Sequence, residues 1–311
     1  MPISQIIDYF NDQMRAAPMR FLPEDPIRSR CGAVEGYFGP LRLTSVFQPL
    51  VAIVSSGRLV AAGHQAYLRA IGANHAVLPA PDAFVSAREA AAIVYLDRLC
   101  RTVHMLNFLR QANNDACLFL HVHARHVLAV LHDHGEYFEG LLHRCGLTPE
   151  RIVIQSDPPS TGNADERRRT QVALRNYRRR GYRLAMNVTS GVHREHILED
   201  VLDLQPDYVR FDRTCLPIGD TQAAVARAMT LMSLLHESGA KVIVHGLEST
   251  AQVRAATEYG VDVAAGDHFG RPSPDLSDGI PVPVDGSRPF GSRTAPGKGP
   301  FGAGDVFLRY A

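Results

Sequence analysis

From about residue 41 onward the chain alternates short apolar, β-branched runs with longer stretches whose apolar residues recur every three to four positions. No other feature constrains the fold as strongly. A strand covered on both faces reads as a near-continuous apolar run, and a helix packed over it shows a single apolar stripe, so the repetition spells βα units. The strand candidates are SVFQPLVAIV (45–54), RLVAAGHQAYLR (58–69), ACLFLHVHA (116–124), RIVIQS (151–156), YRLAMNVT (182–189), DYVRFD (207–212), KVIVHGLE (241–248) and VDVAAGDHFG (261–270). Between them, residues 89–110 place Ile93, Leu96, Cys100, Val103 and Leu106 on one helical stripe. Residues 221–238 do the same with Val225, Met229, Met232 and Leu235, and Gly239 stands where a left-handed cap is needed. Eight strands with interleaved helices in a span of this size predict a closed, modified TIM (β/α)8 barrel in preference to an open doubly wound sheet. No GxGxxG follows the first strand and no GxxxxGK[ST] occurs, which removes the usual phosphate-cradling loops.

The flanks divide the chain into three parts. Residues 1–40 carry a helix candidate, ISQIIDYFNDQMRA, and a Pro- and Gly-punctuated link, read as an N-terminal cover for a barrel domain over 41–274. Residues 275–311 are rich in Pro, Gly and Ser, too poor in buriable surface to offset ordering entropy, and are expected to be mostly disordered. Lys plus Arg number 33 against 32 Asp plus Glu, so no global charge excess favours nucleic acid or an anionic membrane. The run DERRRTQVALRNYRRRG (165–181) concentrates arginine, but it reads better as the solvated face of a barrel helix with Val172, Leu174 and Tyr177 turned inward than as a phosphate-binding patch. The five cysteines are scattered without a CxxC pair, against a disulfide framework or a zinc knuckle, and a reducing cytoplasm is the expected setting. No stretch has the length and apolarity of a signal peptide or a membrane span.

FQPLVAI, GHQAYLR, LFLHVHARHVL, RIVIQ, RLAMNVTSG, PDYVRFDR, VIVHGLES and AAGDHFGRP follow one another in the order of the landmarks of the EAL domain family. The chain resembles that family over about residues 45–274. The resemblance implies a modified TIM barrel whose active members hydrolyse the bacterial second messenger cyclic di-GMP with two divalent cations. It also shows where this chain departs. The glutamate of the E-x-L-x-R motif corresponds to Gln65 and the next landmark residue to Tyr67, while the arginine survives as Arg69. The asparagine on the following strand corresponds to His121, and the glutamate closing the next strand to Gln155. The paired aspartates of DDFG correspond to Asn187 and Val188, and the glutamate of AEGVE to His245. The lysine expected to act on the attacking water corresponds to Arg210, whose guanidinium does not deprotonate, and Asp212 beyond it is kept. The QG pair of the last strand becomes Ala265 and Gly266.

Hard dications prefer anionic oxygen, and a pair of them repel unless carboxylates surround them. Five acids are replaced here, so Mg²⁺ and Mn²⁺ binding and the hydrolysis that depends on it are expected to be lost. Gln48, Arg69, Asp212, Phe269 and Pro272 remain as ligand-facing candidates, with the alternative that Gln48, Pro49 and Arg69 only brace the barrel rim. A softer cation, Zn²⁺, at His121 and His245 with Asp212 is a second idea, set against simple drift to neutral residues; His123 adds nothing at a fixed spacing and His126 falls on a helix. The expectation is therefore a regulatory EAL-like protein of bacterial signalling, a cyclic di-GMP receptor or a protein-interaction module. The alternative is a residual or repurposed phosphodiesterase with a His-containing site. TSGVHREH (189–196) replaces a segment that couples the site to dimer contacts in the family, which leaves the oligomeric state open.

Overall fold

The computed structural model describes residues 3–15, 23, 25–54, 58–111, 116–158, 163–188, 194–217 and 221–277. The disorder expected of the tail beyond 277, and most of the loop from 189, fall outside them. The strands are β1 Ile27–Arg30, β2 Ala33–Phe38, β3 Leu41–Ile53, β4 Leu59–Ile71, β5 Val77–Leu78, β6 Cys117–His121, β7 Ile152–Ser156, β8 Arg183–Val188, β9 Tyr208–Asp212, β10 Lys241–His245 and β11 Val263–Ala265. The helices are α1 Ile3–Arg15, α2 Ala80–Val85, α3 Ala90–Leu109, α4 Ala124–Ala129, α5 Glu136–Cys145, α6 Ala164–Arg179, α7 Arg194–Leu204, α8 Gln222–Glu237 and α9 Thr250–Glu258.

Eight strands close a barrel in the order β3, β4, β6, β7, β8, β9, β10, β11 and back to β3. From β4 round to β11 the neighbours are parallel, whereas β3 runs antiparallel to both β4 and β11 because β3 and β4 form a hairpin. Alternation assigns the faces. Leu50, Cys117, Phe119, Val153, Ala185, Tyr208, Ile243, Val263 and Ala265 form one cluster filling the lumen. The intervening residues join two larger clusters beneath the helices. Gly63 permits the tightest approach in this wall: a Cβ there would lie 2.3 Å from the Cys117 carbonyl oxygen, so β4 reaches β6 only because Gly63 lacks one.

The sequence reading missed one element. Residues 27–38 are not a bare link but a hairpin, β1–β2, which extends the sheet beyond β3. It lies over α3, and this is why α3 is buried nearly all round instead of along one stripe. Two asparagines replace missing strand neighbours: Asn107 accepts from the Val34 N–H at 2.9 Å and donates to its carbonyl at 2.8 Å, and Asn11 of α1 does the same for Ile27. Two inward assignments also change. Met229 is 49% exposed, because Ala228 and Leu231 share the inner face of α8 with Met232 and Leu235. Val172 is 48% exposed, since Ala173 and Tyr177, one helical turn apart, take the inner face of α6. Gly239 adopts φ +86°, the left-handed cap expected of it.

Candidate functional site

The parallel strands end at one mouth of the barrel, and period-two alternation decides which side chains reach it. Gln65, Gln155, Asn187 and Arg210 all line one cavity with His121 and Arg69. The cavity together with the solvent at its open side spans about 910 Å³. Val188, one residue past Asn187, turns the other way and packs beneath α7 with Ile197 and Val201, so the residue that the resemblance sets against the second aspartate of DDFG does not face the lumen. Phe269 likewise packs against the outer cluster and edge-on to His268, and neither it nor Pro272 lines the cavity.

Gln65 is 4% exposed, and its amide donates to two backbone carbonyls, Ala66 at 3.1 Å and Phe119 at 3.4 Å. Those carbonyls belong to β4 and β6, whose ladder ends at Gln65↔Phe119. The amide thus closes the place where the two strands part, a task a carboxylate, having no donor, cannot perform. Gln48 sits opposite Gln65 in the β3–β4 register and is held at both ends: its amide donates to Gly270 O at 3.0 Å, and its carbonyl accepts from Tyr67 Oη at 3.2 Å. Those two bonds are what a bracing role at the barrel rim requires.

A line of contacts crosses the mouth. His121 Nε2 lies 4.0 Å from Asp157 Oδ1, Asn187 Nδ2 donates to the same oxygen at 3.4 Å, and Arg210 Nη1 donates to Asn187 Oδ1 at 3.5 Å. Burial would raise the Asp157 carboxyl, but His121 and Asn187 outweigh it and hold the group below the usual carboxylate range. Asp157 was missed at the sequence level although it stands two residues past Gln155, on the same face by alternation. His245 and Asp212 pair separately, Nδ1 to Oδ2 at 3.5 Å, and Asp212 Oδ1 also accepts from the Thr214 backbone and hydroxyl at 3.0 and 2.8 Å. His121 and His245 therefore each face their own aspartate, and among the described residues no three His, Cys, Asp or Glu side chains converge as a metal site requires.

His126 belongs to a different structure. Asp97 and Arg101 of α3 pair at 2.7 Å, almost wholly buried, with His126 Nδ1 3.4 Å from Asp97 Oδ2 and its Nε2 3.2 Å from Arg101 Nη2. Burial drives the His126 ring down to about 3, so it is neutral. His123 caps α4, accepting the Arg125 N–H at 3.1 Å, and stacks on Phe84. The arginine run of α6 is largely consumed within the fold: Arg167 pairs with Glu199 and Asp200, Arg168 with Asp165, and Arg180 with Glu139, while Arg169 and Arg178 donate to carbonyls of Leu128 and Leu204.

The EAL family profile matches residues 41–272. The chain belongs to the EAL domain family. Solved EAL-type structures share the fold. BlrP1 of Klebsiella pneumoniae, in a calcium and cyclic di-GMP complex, is 16% identical with a TM-score of 0.62, covering 77% of this chain and 57% of its own. The Bacillus subtilis YkuI protein, with an EAL domain, in complex with substrate cyclic di-GMP and calcium, is 19% identical with a TM-score of 0.60, covering 76% and 57%. The EAL domain of FimX from Pseudomonas aeruginosa, bound to cyclic di-GMP, is 14% identical with a TM-score of 0.63, covering 89% and 99%. The chain thus spans somewhat more than half the length of the first two. Curated protein sequences give no match. EAL domains include cyclic di-GMP phosphodiesterases and binders. Among the described residues, no helix is long and apolar enough to cross a membrane.

Proposed function

We propose that this EAL domain binds a cyclic di-GMP-type nucleotide without hydrolysing it and acts as a cytoplasmic regulatory protein that passes the bound state to a protein partner. One observation carries the reading: of the positions that the resemblance sets against family acids, Gln65, Gln155 and Asn187 line the cavity and His245 pairs with Asp212 beside it, while Arg69 still lines the cavity. Amides are poor ligands for hard dications, so two-metal hydrolysis loses its chemistry while a cationic, partly apolar cavity of nucleotide size is kept. Zn²⁺ chemistry through His121 and His245 gains no support, since each imidazole faces a different carboxylate. Retention of Arg69 favours a nucleotide receptor over an interaction module that ignores nucleotide. The test is to incubate the protein with cyclic di-GMP and Mg²⁺, Mn²⁺ or Zn²⁺ and follow linear product by chromatography, with calorimetry in parallel. Binding without product is expected; metal-dependent turnover, or no binding under any condition, overturns the reading.

A further inference from the structure

The barrel wall has a gap, and its rim is polar. β4 pairs with β6 only over residues 63–65 and with β5 only at Ala70 and Ile71. Phe47, opposite Ala66, gives its N–H and C=O to Ser273, so Ala66 and, by alternation, Leu68 turn theirs away from β3. The Leu68 N–H and C=O thus face a stretch that neither ladder covers. The cavity at the mouth passes through this gap: Gln65 and Gln155 line it from the lumen, and Leu68, Leu78, Phe84 and Cys100 line it beneath α2 and α3.

Two side-chain atoms on the cavity have no hydrogen-bond partner among the described residues: Oε1 of Gln65, an acceptor, and Nε2 of Gln155, a donor. The two residues are 4% and 1% exposed. A buried polar atom left unsatisfied is costly, and one of each kind on the same cavity points to a guest that brings a donor for the first and an acceptor for the second. Strand register spaces them. Gln65 is level with Phe119 and Gln155 with His121, so two strand spacings, about 10 Å, separate their backbones, and both side chains project into the lumen. That leaves room for a flat ring between the amides. Both amides are neutral and the lobe beyond the gap is lined by apolar side chains, so the complementary guest is an uncharged planar ring with an N–H beside a C=O on its rim.

We propose that Gln65, Gln155 and the Leu68 backbone form a subsite for a purine base with a lactam edge. Gln65 Oε1 accepts from the ring N–H, Gln155 Nε2 donates to the ring carbonyl, and the ring lies against Leu68 and Leu78 at the gap. A purine suits this better than a single small ring because its second edge carries further polar atoms for the Leu68 N–H and C=O. The inference rests on the nucleotide-receptor reading and adds to it which part of the ligand the two amides take, the base and not the phosphate.

The test titrates the full chain with cyclic di-GMP by calorimetry and, by saturation-transfer NMR, with two nucleosides: inosine, which has the lactam edge, and purine riboside, which lacks both its N–H and its C=O. Gln155→Met and Gln65→Met are each expected to weaken cyclic di-GMP by about fivefold, one neutral hydrogen bond. Leu78→Trp, which fills the lobe and leaves the amides alone, is expected to weaken it by about tenfold or more. The parent should prefer inosine over purine riboside by about tenfold, and each Met variant should lose most of that preference. A merely structural role for the amides would weaken both nucleosides alike, so the ratio separates the two. Circular dichroism checks folding, and should one variant not fold, the other two carry the comparison. If the parent binds cyclic di-GMP but the variants bind it equally well, or if inosine is not preferred, the subsite is wrong and the receptor reading stands. If the parent binds no cyclic di-GMP, the receptor reading falls. The nucleosides then decide the subsite alone: an inosine preference abolished by Gln155→Met supports it, and its absence overturns it.

Discussion

Placing an acid at the mouth with Gln65→Glu is expected to destabilise the protein rather than create a metal site, and to do so in a pH-dependent way. The Gln65 amide donates to the carbonyls of Ala66 and Phe119 at 3.1 and 3.4 Å. An ionised Glu offers neither bond and sets negative oxygen against two carbonyls. A protonated Glu offers one bond, but holding it protonated at pH 7, from an ordinary value of about 4.3, costs up to about 3.7 kcal/mol at about 1.36 kcal/mol per unit. The lost second bond adds about 1 kcal/mol. Because one side of Gln65 faces the cavity, desolvation is incomplete, and a penalty of about 2–4 kcal/mol at pH 7 is expected. The sign follows from a folded-state pKa raised above the unfolded one: the glutamic acid is tolerated below about pH 4, and stability is lost as pH rises toward the folded value. Urea unfolding of the parent, Gln65→Glu and Gln65→Met at pH 4.5, 6 and 7.5 measures this. Gln65→Glu should approach Gln65→Met at pH 4.5 and fall well below it at pH 7.5. A pH-independent deficit, or a rise in the melting temperature of Gln65→Glu on adding Mn²⁺ that the parent lacks, would refute the reasoning.

Two further perturbations bear on the groups around the cavity. Asp97→Ala leaves the Arg101 guanidinium buried without its carboxylate and is expected to cost about 3–5 kcal/mol by chemical denaturation, while Asp97→Leu with Arg101→Met should recover much of that loss. Asp157, held below the usual carboxylate range by His121 and Asn187, contributes stability present above its ordinary pKa and lost as pH falls through the lowered one. Asp157→Asn should accordingly be less stable than the parent at pH 7, the gap closing below about pH 4 in thermal melts taken across that range. A constant gap would mean that the carboxylate's charge plays no part.

Much of the barrel was legible because its information is local. A strand buried on both faces must be apolar throughout, so all eight barrel strands could be placed along the chain before any contact was known. Asp157 is legible in principle, two residues beyond Gln155 on the same face, but it lies past the apolar run by which a buried strand is recognised. The β1–β2 hairpin was not legible. IRSR and AVEGYF are short, and what makes them strands is their pairing with each other and with β3, completed at Val34 by Asn107, 73 residues away, and at Ile27 by Asn11.

The sequence by itself determined that this protein is a barrel of the EAL family and that amides, an imidazole and an aliphatic side chain stand at the positions the resemblance sets against the family's acids, since both are read from residue type and order. Only the tertiary structure decided that Val188 faces away from the lumen, that Gln48 is held at both ends, that Gln65 bonds the carbonyls where β4 leaves β6, and that Arg69 and Arg210 line one cavity with Gln155. The physical reason is that periodicity records which face of an element is apolar. Which polar groups meet across the mouth is fixed by strand register and by where neighbouring strands separate, and neither is written in any one segment.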